Sequence, residues 1–232
     1  MSTERRALTG VTSMAARRIL DEVARDFAAT HGVDVSFAAM GGVEAARRMR
    51  EGSGADLVAL ASAALDALGR EGRLAAGLRV DYAASGIAVA VRAGAESPDL
   101  SSESAVRAAM LRARRIAYST GPSGDHVRGL WRRWGLEEAM AERAVQAPPG
   151  VPVAGLVASG EADLGLQQES ELIGAPGIAI AGPLPPGLQL TTVFSAAAAA
   201  DCSDPASAQA FLAYLASPQA EAAIRRQGMA PV

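Results

Sequence analysis

The sequence predicts an α/β protein of two lobes, with mixed or parallel sheets and two strands that cross between the lobes. Three observations lead there. Short apolar runs of strand type alternate with longer runs of helical period, and the order β-α-β-α-β-α at the start argues parallel strands with crossover helices. Tyr82 to Val91 and Leu190 to Ala199 are long apolar strands that read as the exit from a first lobe and the return to it. Strand ends are repeatedly followed by Ser, Thr and Gly, which places small-residue loops along sheet edges, where ligands of open α/β sheets bind. On this reading residues 1–83 and 192–232 form the first lobe and 84–191 the second.

The composition supports a large core and excludes several chemistries. Of 232 residues, 50% are hydrophobic but only 4% aromatic, so Ala and Val must fill the interior. The net charge of −3 leaves no electrostatic footprint for nucleic acid. No apolar run reaches the length of a membrane span, so no membrane insertion is expected. All 22 basic residues are Arg, and the absence of Lys removes P-loop and Schiff-base chemistry. Cys202 is the only cysteine, and His31 and His126 are the only histidines, so no metal cluster and no cofactor are implied. Met1 to Arg6 lead directly into a strand without the pattern of a secretory leader, which predicts a cytoplasmic protein as written, or a periplasmic one if a leader has been trimmed.

The elements follow in order. Ala7 to Val11 is a strand, and Thr12-Ser13 caps a helix from Met14 to about Thr30 whose apolar face is Ile19, Leu20, Val23 and Phe27. Gly32 ends it in the position that favours a left-handed backbone. Val33 to Ala38 is a second strand, followed by the glycine loop Met40 to Val43 and a helix from Glu44 to Arg50. Ala55 to Ala61 is a continuous apolar strand of the doubly buried kind, and Ser62 caps a helix from Ala63 to Glu71. After the first crossing strand come a helix from Glu103 to Arg112, a strand ending at Tyr118, and a helix from Asp125 to Trp134. Pro148 to Pro152 is a turn, Val153 to Ser159 a short helix, Ala162 to Gln168 a strand, and Ile178 to Ala181 another. After the return strand, helices at 206–216 and 218–227 close the chain, with Phe211, Leu212, Leu215 and Ile224 in the core.

The stretch that organises the candidate site is Ala117 to His126, a buried strand end, a hydroxyl- and glycine-rich loop, and the first turn of a helix. Unpaired N–H groups at the positive end of a helix form an anion site. Ser123 and Gly124 belong to it, and Ser13, Gly41, Gly42, Ala61 and Ser62 occupy equivalent strand ends in the first lobe. Ser13 and Ser123 read either as plain helix caps or as donors to one small anion. Arg128 is the guanidinium placed to pair with a carboxylate, ahead of Arg79 and Arg92, and strand alternation turns one of Gln167 and Gln168 toward the ligand. His126 is the single histidine near this loop, and imidazole is the side chain suited to moving a proton near neutral pH. Trp131 and Trp134 read as a packing face.

The order of these motifs carries a resemblance. Ser13, the glycine loop, Gly52-x-x-Ala55-Asp56-Leu57-Val58-x-x-Ala61, Gly121-Pro122-Ser123-Gly124, Gly160-Glu161-Ala162-Asp163-Leu164-Gly165 and the closing Ala216-Ser217-Pro218-x-Ala220 together resemble the type 2 periplasmic binding proteins, in their molybdate-binding-protein-like branch. The resemblance implies the two-lobed type 2 periplasmic-binding-protein fold, a small anionic ligand held in an inter-lobe cleft by hydroxyls and N–H groups, and an ABC transporter permease as a possible partner. Carried over by position, the binding set is Ser13, Gly42, Ala61, Ser123 and the turn at Gly150-Val151, with Gln168 where the family has a tyrosine. Glycines stand where molybdate binders have serines, a departure that argues against molybdate itself, and the carboxylate expectation comes from a second resemblance. Leu166 to Leu172 and Ser85 to Val91 also resemble a sub-branch that includes aconitate isomerase, which implies the alternative, proton transfer within a small unsaturated polycarboxylate.

Overall fold

A computed structural model describes residues 7–232; Met1 to Arg6, and the reading of their lead into the first strand, lie outside the described residues. The chain divides into two compact units, Met1–Ala84 with Thr192–Val232, and Ser85–Thr191. The first opens with β1 (Ala7–Ser13), a 3-10 turn at Met14–Ala16, α1 (Arg17–His31), β2 (Asp34–Met40), α2 (Gly42–Glu51), β3 (Leu57–Ala61), α3 (Ser62–Arg70) and β4 (Leu74–Ser85). The second holds β5 (Ile87–Arg92), α4 (Glu103–Arg112), β6 (Ile116–Tyr118), α5 (Pro122–Arg133), α6 (Glu137–Ala141), β7 (Ala144–Gln146), α7 (Val153–Ala158), β8 (Leu164–Gln168), α8 (Glu169–Leu172) and β9 (Ile178–Pro183). The chain then returns through β10 (Thr192–Ala199) to α9 (Pro205–Leu215), α10 (Pro218–Arg226) and β11 (Ala230–Pro231).

The first unit is built on a six-stranded sheet of order β11-β4-β10-β3-β1-β2. β1 runs parallel to β2 and β3, while β10 runs antiparallel to β3. Ser13 pairs with Met40, and Thr12 with Ala59, so the carboxyl ends of these three strands share one edge. Ile19, Leu20, Val23 and Phe27 of α1 are buried, as the helical period predicts, and pack with Phe211, Leu212, Leu215 and Ile224 of α9 and α10. Burying each such side chain contributes about 1.5–3 kcal/mol. Gly32 ends α1 in the left-handed region at φ 68°, which a side chain would strain.

A buried carboxylate ties the amino end of this sheet to the closing segment. Asp56 accepts from the Thr9 N–H at 2.9 Å and from Ser203 through its N–H at 2.9 Å and its hydroxyl at 2.6 Å. Burial alone would raise this carboxyl, yet donation from Ser203 and Thr9 holds it below the ordinary carboxylate range.

The second unit carries a five-stranded sheet of order β7-β6-β8-β5-β9. β6 runs parallel to β7 and β8, and β5 runs antiparallel to β8 and β9. Tyr118 pairs with Gln146 and with Leu166, so the loops after β6, β7 and β8 leave from the same edge.

The structure corrects several sequence expectations. Tyr82 to Val91 is two strands broken at Gly86, because Gln189 folds onto that glycine and bonds the Ile87 N–H (2.7 Å) and carbonyl (3.0 Å) with its own amide. A Cβ at Gly86 would meet the Gln189 amide at 3.0 Å. Ser13 caps nothing: it precedes a 3-10 turn and its side chain makes no cap bond. Ser62 is the first residue of α3, following Ala61 at the cap, and its hydroxyl is taken by Arg79. The helix expected from Asp125 begins at Pro122, whose fixed φ suits a first turn, with Gly121 at the cap. The first half of β4, α6 and β7 add to the expected elements; Leu74 to Asp81 is only partly buried and β7 is an edge strand of three residues, so neither of these strands shows a strong apolar period.

Candidate functional site

In the first unit, Ser13 ends β1 with extended backbone (φ −81°, ψ 159°), and its Oγ is buried without a hydrogen-bond partner. Gly42 opens α2 beside it: a Cβ at Gly42 would lie 3.8 Å from the Ser13 Cβ. The Gly41 carbonyl accepts from the Ala45 N–H at 2.9 Å, closing the first helical turn and leaving the earlier N–H groups of α2 without an intrahelical acceptor. Ala61 ends β3 on the same edge, in extended backbone. Sheet topology therefore brings Ser13, Gly41, Gly42 and Ala61 together. Arg79 is engaged by Asp66 and by the Ser62 hydroxyl, each at 2.5 Å.

In the second unit, Ser119 Oγ and Ser123 Oγ lie 2.9 Å apart, clasping the loop between β6 and α5. The N–H groups of Gly124 and Asp125 turn back to the Gly121 carbonyl at 2.9 and 3.1 Å, and Gly124 is buried in that turn. Ser123 sits one residue earlier, where helix geometry supplies its N–H with no internal acceptor. A Cβ on Gly124 would fall 1.8 Å from the Ser119 carbonyl oxygen, so only glycine permits this close approach. Arg128 is held by Asp125 at 2.6 Å on an exposed helix face. His126 donates from Nε2 to the Leu188 carbonyl at 2.7 Å, fastening the 3-10 turn after β9 to α5 and leaving Nδ1 as the free ring nitrogen of the neutral tautomer.

The loops after β7 and β8 complete that edge. Gly150 takes φ +79°, and the Val151 N–H turns back to the Pro148 carbonyl at 2.9 Å, so this amide is already spent within the turn. Gln167 and Gln168 are both buried. The Gln167 side chain faces α7: its Oε1 accepts from the Val153 N–H at 3.0 Å and its Nε2 donates to Glu171 Oε2 at 2.7 Å. Two further groups here were missed from sequence. Ser170 is buried with an unpartnered hydroxyl, and burial pushes the Glu171 carboxyl up to about 7. The available signal was the run Glu169-Ser170-Glu171 directly past a buried strand.

Among the described residues no cluster of three or more His, Cys, Asp or Glu is arranged to hold a metal ion, and no helix is long and apolar enough to cross a membrane.

The family model described as "Bacterial extracellular solute-binding protein" matches residues 8–230. The chain is 38% identical over 231 residues to an aconitate isomerase from Pseudomonas sp., covering 97% of this chain and 88% of that protein. Among solved structures it is similar to the Azotobacter vinelandii periplasmic molybdate-binding protein, at 24% identity and a TM-score of 0.78, covering 96% of this chain and 98% of the other. It is also similar to the sulfate-binding protein SubI from Mycobacterium tuberculosis H37Rv, at 18% identity and a TM-score of 0.78, covering 98% and 87%. Both structures share the α/β fold described above.

Proposed function

As the chain belongs to the bacterial extracellular solute-binding protein family, we propose that it captures a small anion, a carboxylate in preference to a tetrahedral oxyanion, on hydroxyls and main-chain N–H groups. The observation that carries this reading is the Ser13 hydroxyl, buried and unpartnered at the carboxyl end of a parallel strand and packed against the first residue of α2. Leaving a buried hydroxyl unpaired costs about 1–3 kcal/mol, a cost that makes sense for a donor kept for a ligand. The amino end of α2, beside Ser13 in the same unit, adds the positive pole of a helix. Arg79 and Arg128 are neutralised by Asp66 and Asp125, so the donors offered to the anion are uncharged. The molybdate- and sulfate-binding relatives support the anion class, and the aconitate isomerase relative supports a carboxylate. Handing the captured solute to a membrane permease belongs to this reading.

Thermal unfolding with a panel of molybdate, tungstate, sulfate, citrate and the two aconitates tests it, since a ligand that binds only the folded state raises Tm. Saturable stabilisation by a tricarboxylate, weakened in Ser13→Ala, is the expected outcome. Flat melting curves across the panel would sink the reading.

A second reading, isomerisation of an unsaturated tricarboxylate by proton transfer, is favoured by the 38% identity to an aconitate isomerase. In it His126 would work through Nδ1, since Nε2 is committed to Leu188. Proton NMR of trans-aconitate incubated with the protein decides it: cis-aconitate must appear, and must fail to appear with His126→Ala.

A further inference from the structure

The second unit draws the carboxyl of a half-buried residue into its packing, and neither reading uses it. Glu171 lies in α8, just past the end of β8, on the edge that also carries the loops after β6 and β7. Its partner is the Gln167 amide, whose orientation is forced: Oε1 must accept from the Val153 N–H, so Nε2 must donate to Glu171. Glu171 Oε2 is thereby an acceptor in both protonation states, and any proton resides on Oε1.

Among the described residues, the elements that pack most closely on α8 bring no countercharge to Glu171. α8 packs against β5, β8 and α7. β8 reads Leu-Gly-Leu-Gln-Gln and α7 Val-Ala-Gly-Leu-Val-Ala, so neither offers a titratable group. β5 offers only Arg92, at the end of the strand remote from the Ile87–Gln168 pair. On α8 itself the other titratable group is Glu169, of the same sign. A carboxylate in such a place is held by one neutral amide alone, and added negative charge nearby can only disfavour it further.

We propose that anion capture by this chain is proton-linked through Glu171, the ligand and a proton on that carboxyl binding together. The proposal rests on the capture reading and adds its regulation. Burial already sets the ligand-free carboxyl to titrate at about 7, so the linkage operates around neutral pH. Rising pH ionises Glu171, places a fixed negative charge beside the loops that receive the anion, and releases it. The device depends on the Gln167 clasp, which keeps the carboxyl in place while its charge changes.

Tricarballylate, a saturated tricarboxylate that cannot isomerise, is the probe. Calorimetry at pH 7.5 in HEPES and in Tris, buffers of different ionisation enthalpy, counts the protons taken up per anion bound. The wild-type protein is expected to take up about three-quarters of a proton, with Kd weakening by up to about tenfold per pH unit above neutrality. Glu171→Gln keeps the acceptor for Gln167 and is expected to bind with little proton uptake and a flattened pH dependence. Equal uptake in Glu171→Gln and wild type overturns the linkage and leaves capture standing. Absence of tricarballylate binding to the wild type at every pH overturns the capture of tricarboxylates and the linkage with it. Carbon-13 NMR of the ligand-free protein is a second check: a carboxyl titrating near neutrality and missing from Glu171→Gln supports the assignment, and its absence from the wild type overturns it.

Discussion

The carbonyl oxygen of Ser119 occupies the space that a Cβ on Gly124 would need, at 1.8 Å. The contact joins the end of β6 to the first turn of α5, and the Ser119–Ser123 hydroxyl pair closes the same loop from the other side. Backbone cannot yield as a flexible side-chain tip would. The loop that presents the Ser123 N–H therefore has its shape set by the absence of one methyl group.

Gly124→Ala should cost about 1–3 kcal/mol of stability through overpacking, and should weaken anion binding more than Ser123→Ala does. Urea denaturation and isothermal titration of both variants check this. Equal stability of Gly124→Ala and wild type would contradict the geometry.

Ser13→Ala should move stability and binding in opposite directions. Deleting an unpartnered buried hydroxyl relieves about 1 kcal/mol in the ligand-free protein, while the ligand loses a donor. Melting curves with and without anion are expected to show a higher free Tm and a smaller ligand-induced rise. A drop in the free Tm would mean that the hydroxyl has a structural partner.

His126→Ala should lower stability by about 0.5–1.5 kcal/mol by cutting the bond to the Leu188 carbonyl. His126→Gln, which retains a donor, should restore most of it. If isomerisation of trans-aconitate is present, rescue of turnover by Gln would separate an anchoring role from proton transfer, since an amide cannot serve as the base.

Asp56 gives a pH dependence of definite sign. Its carboxyl titrates below the ordinary range in the folded chain, so its contribution is complete above the unfolded carboxylate value of about 3.9 and disappears as pH falls through the lowered folded value. Asp56→Ala, which strands the Thr9 and Ser203 donors, should cost about 2–4 kcal/mol at neutral pH. Denaturation midpoints of the two proteins should converge as pH drops through the lowered value, and midpoints staying apart in strong acid would refute this.

Elements with a strong apolar period are legible in the sequence. α1 and its Ile19, Leu20, Val23 and Phe27 face, the doubly buried β3, and α9 with Phe211 and Leu215 follow directly from spacing. The weakly patterned half of β4 and the three-residue β7 were not legible, because partial burial and edge position leave no periodic signal. The strand-to-helix junctions that hold Ser13 and Gly42 in one unit and Ser123 in the other could be named from their small-residue composition. The Ser119–Gly124 contact, the Gln167–Glu171 clasp and the engagement of Arg128 by Asp125 could not.

Local chemistry alone determined the alternation of strands and helices, the Ala- and Val-rich core, and the small-residue loops after the strands, since each of these is a property of neighbours along the chain. Which groups stay unpaired, and which carboxyl loses its water, was decided by tertiary packing. Ser13 keeps an orphan hydroxyl because packing takes its water without supplying a partner, and the Glu171 carboxyl is pushed up to about 7 because packing takes its water and offers one neutral amide in place of a countercharge.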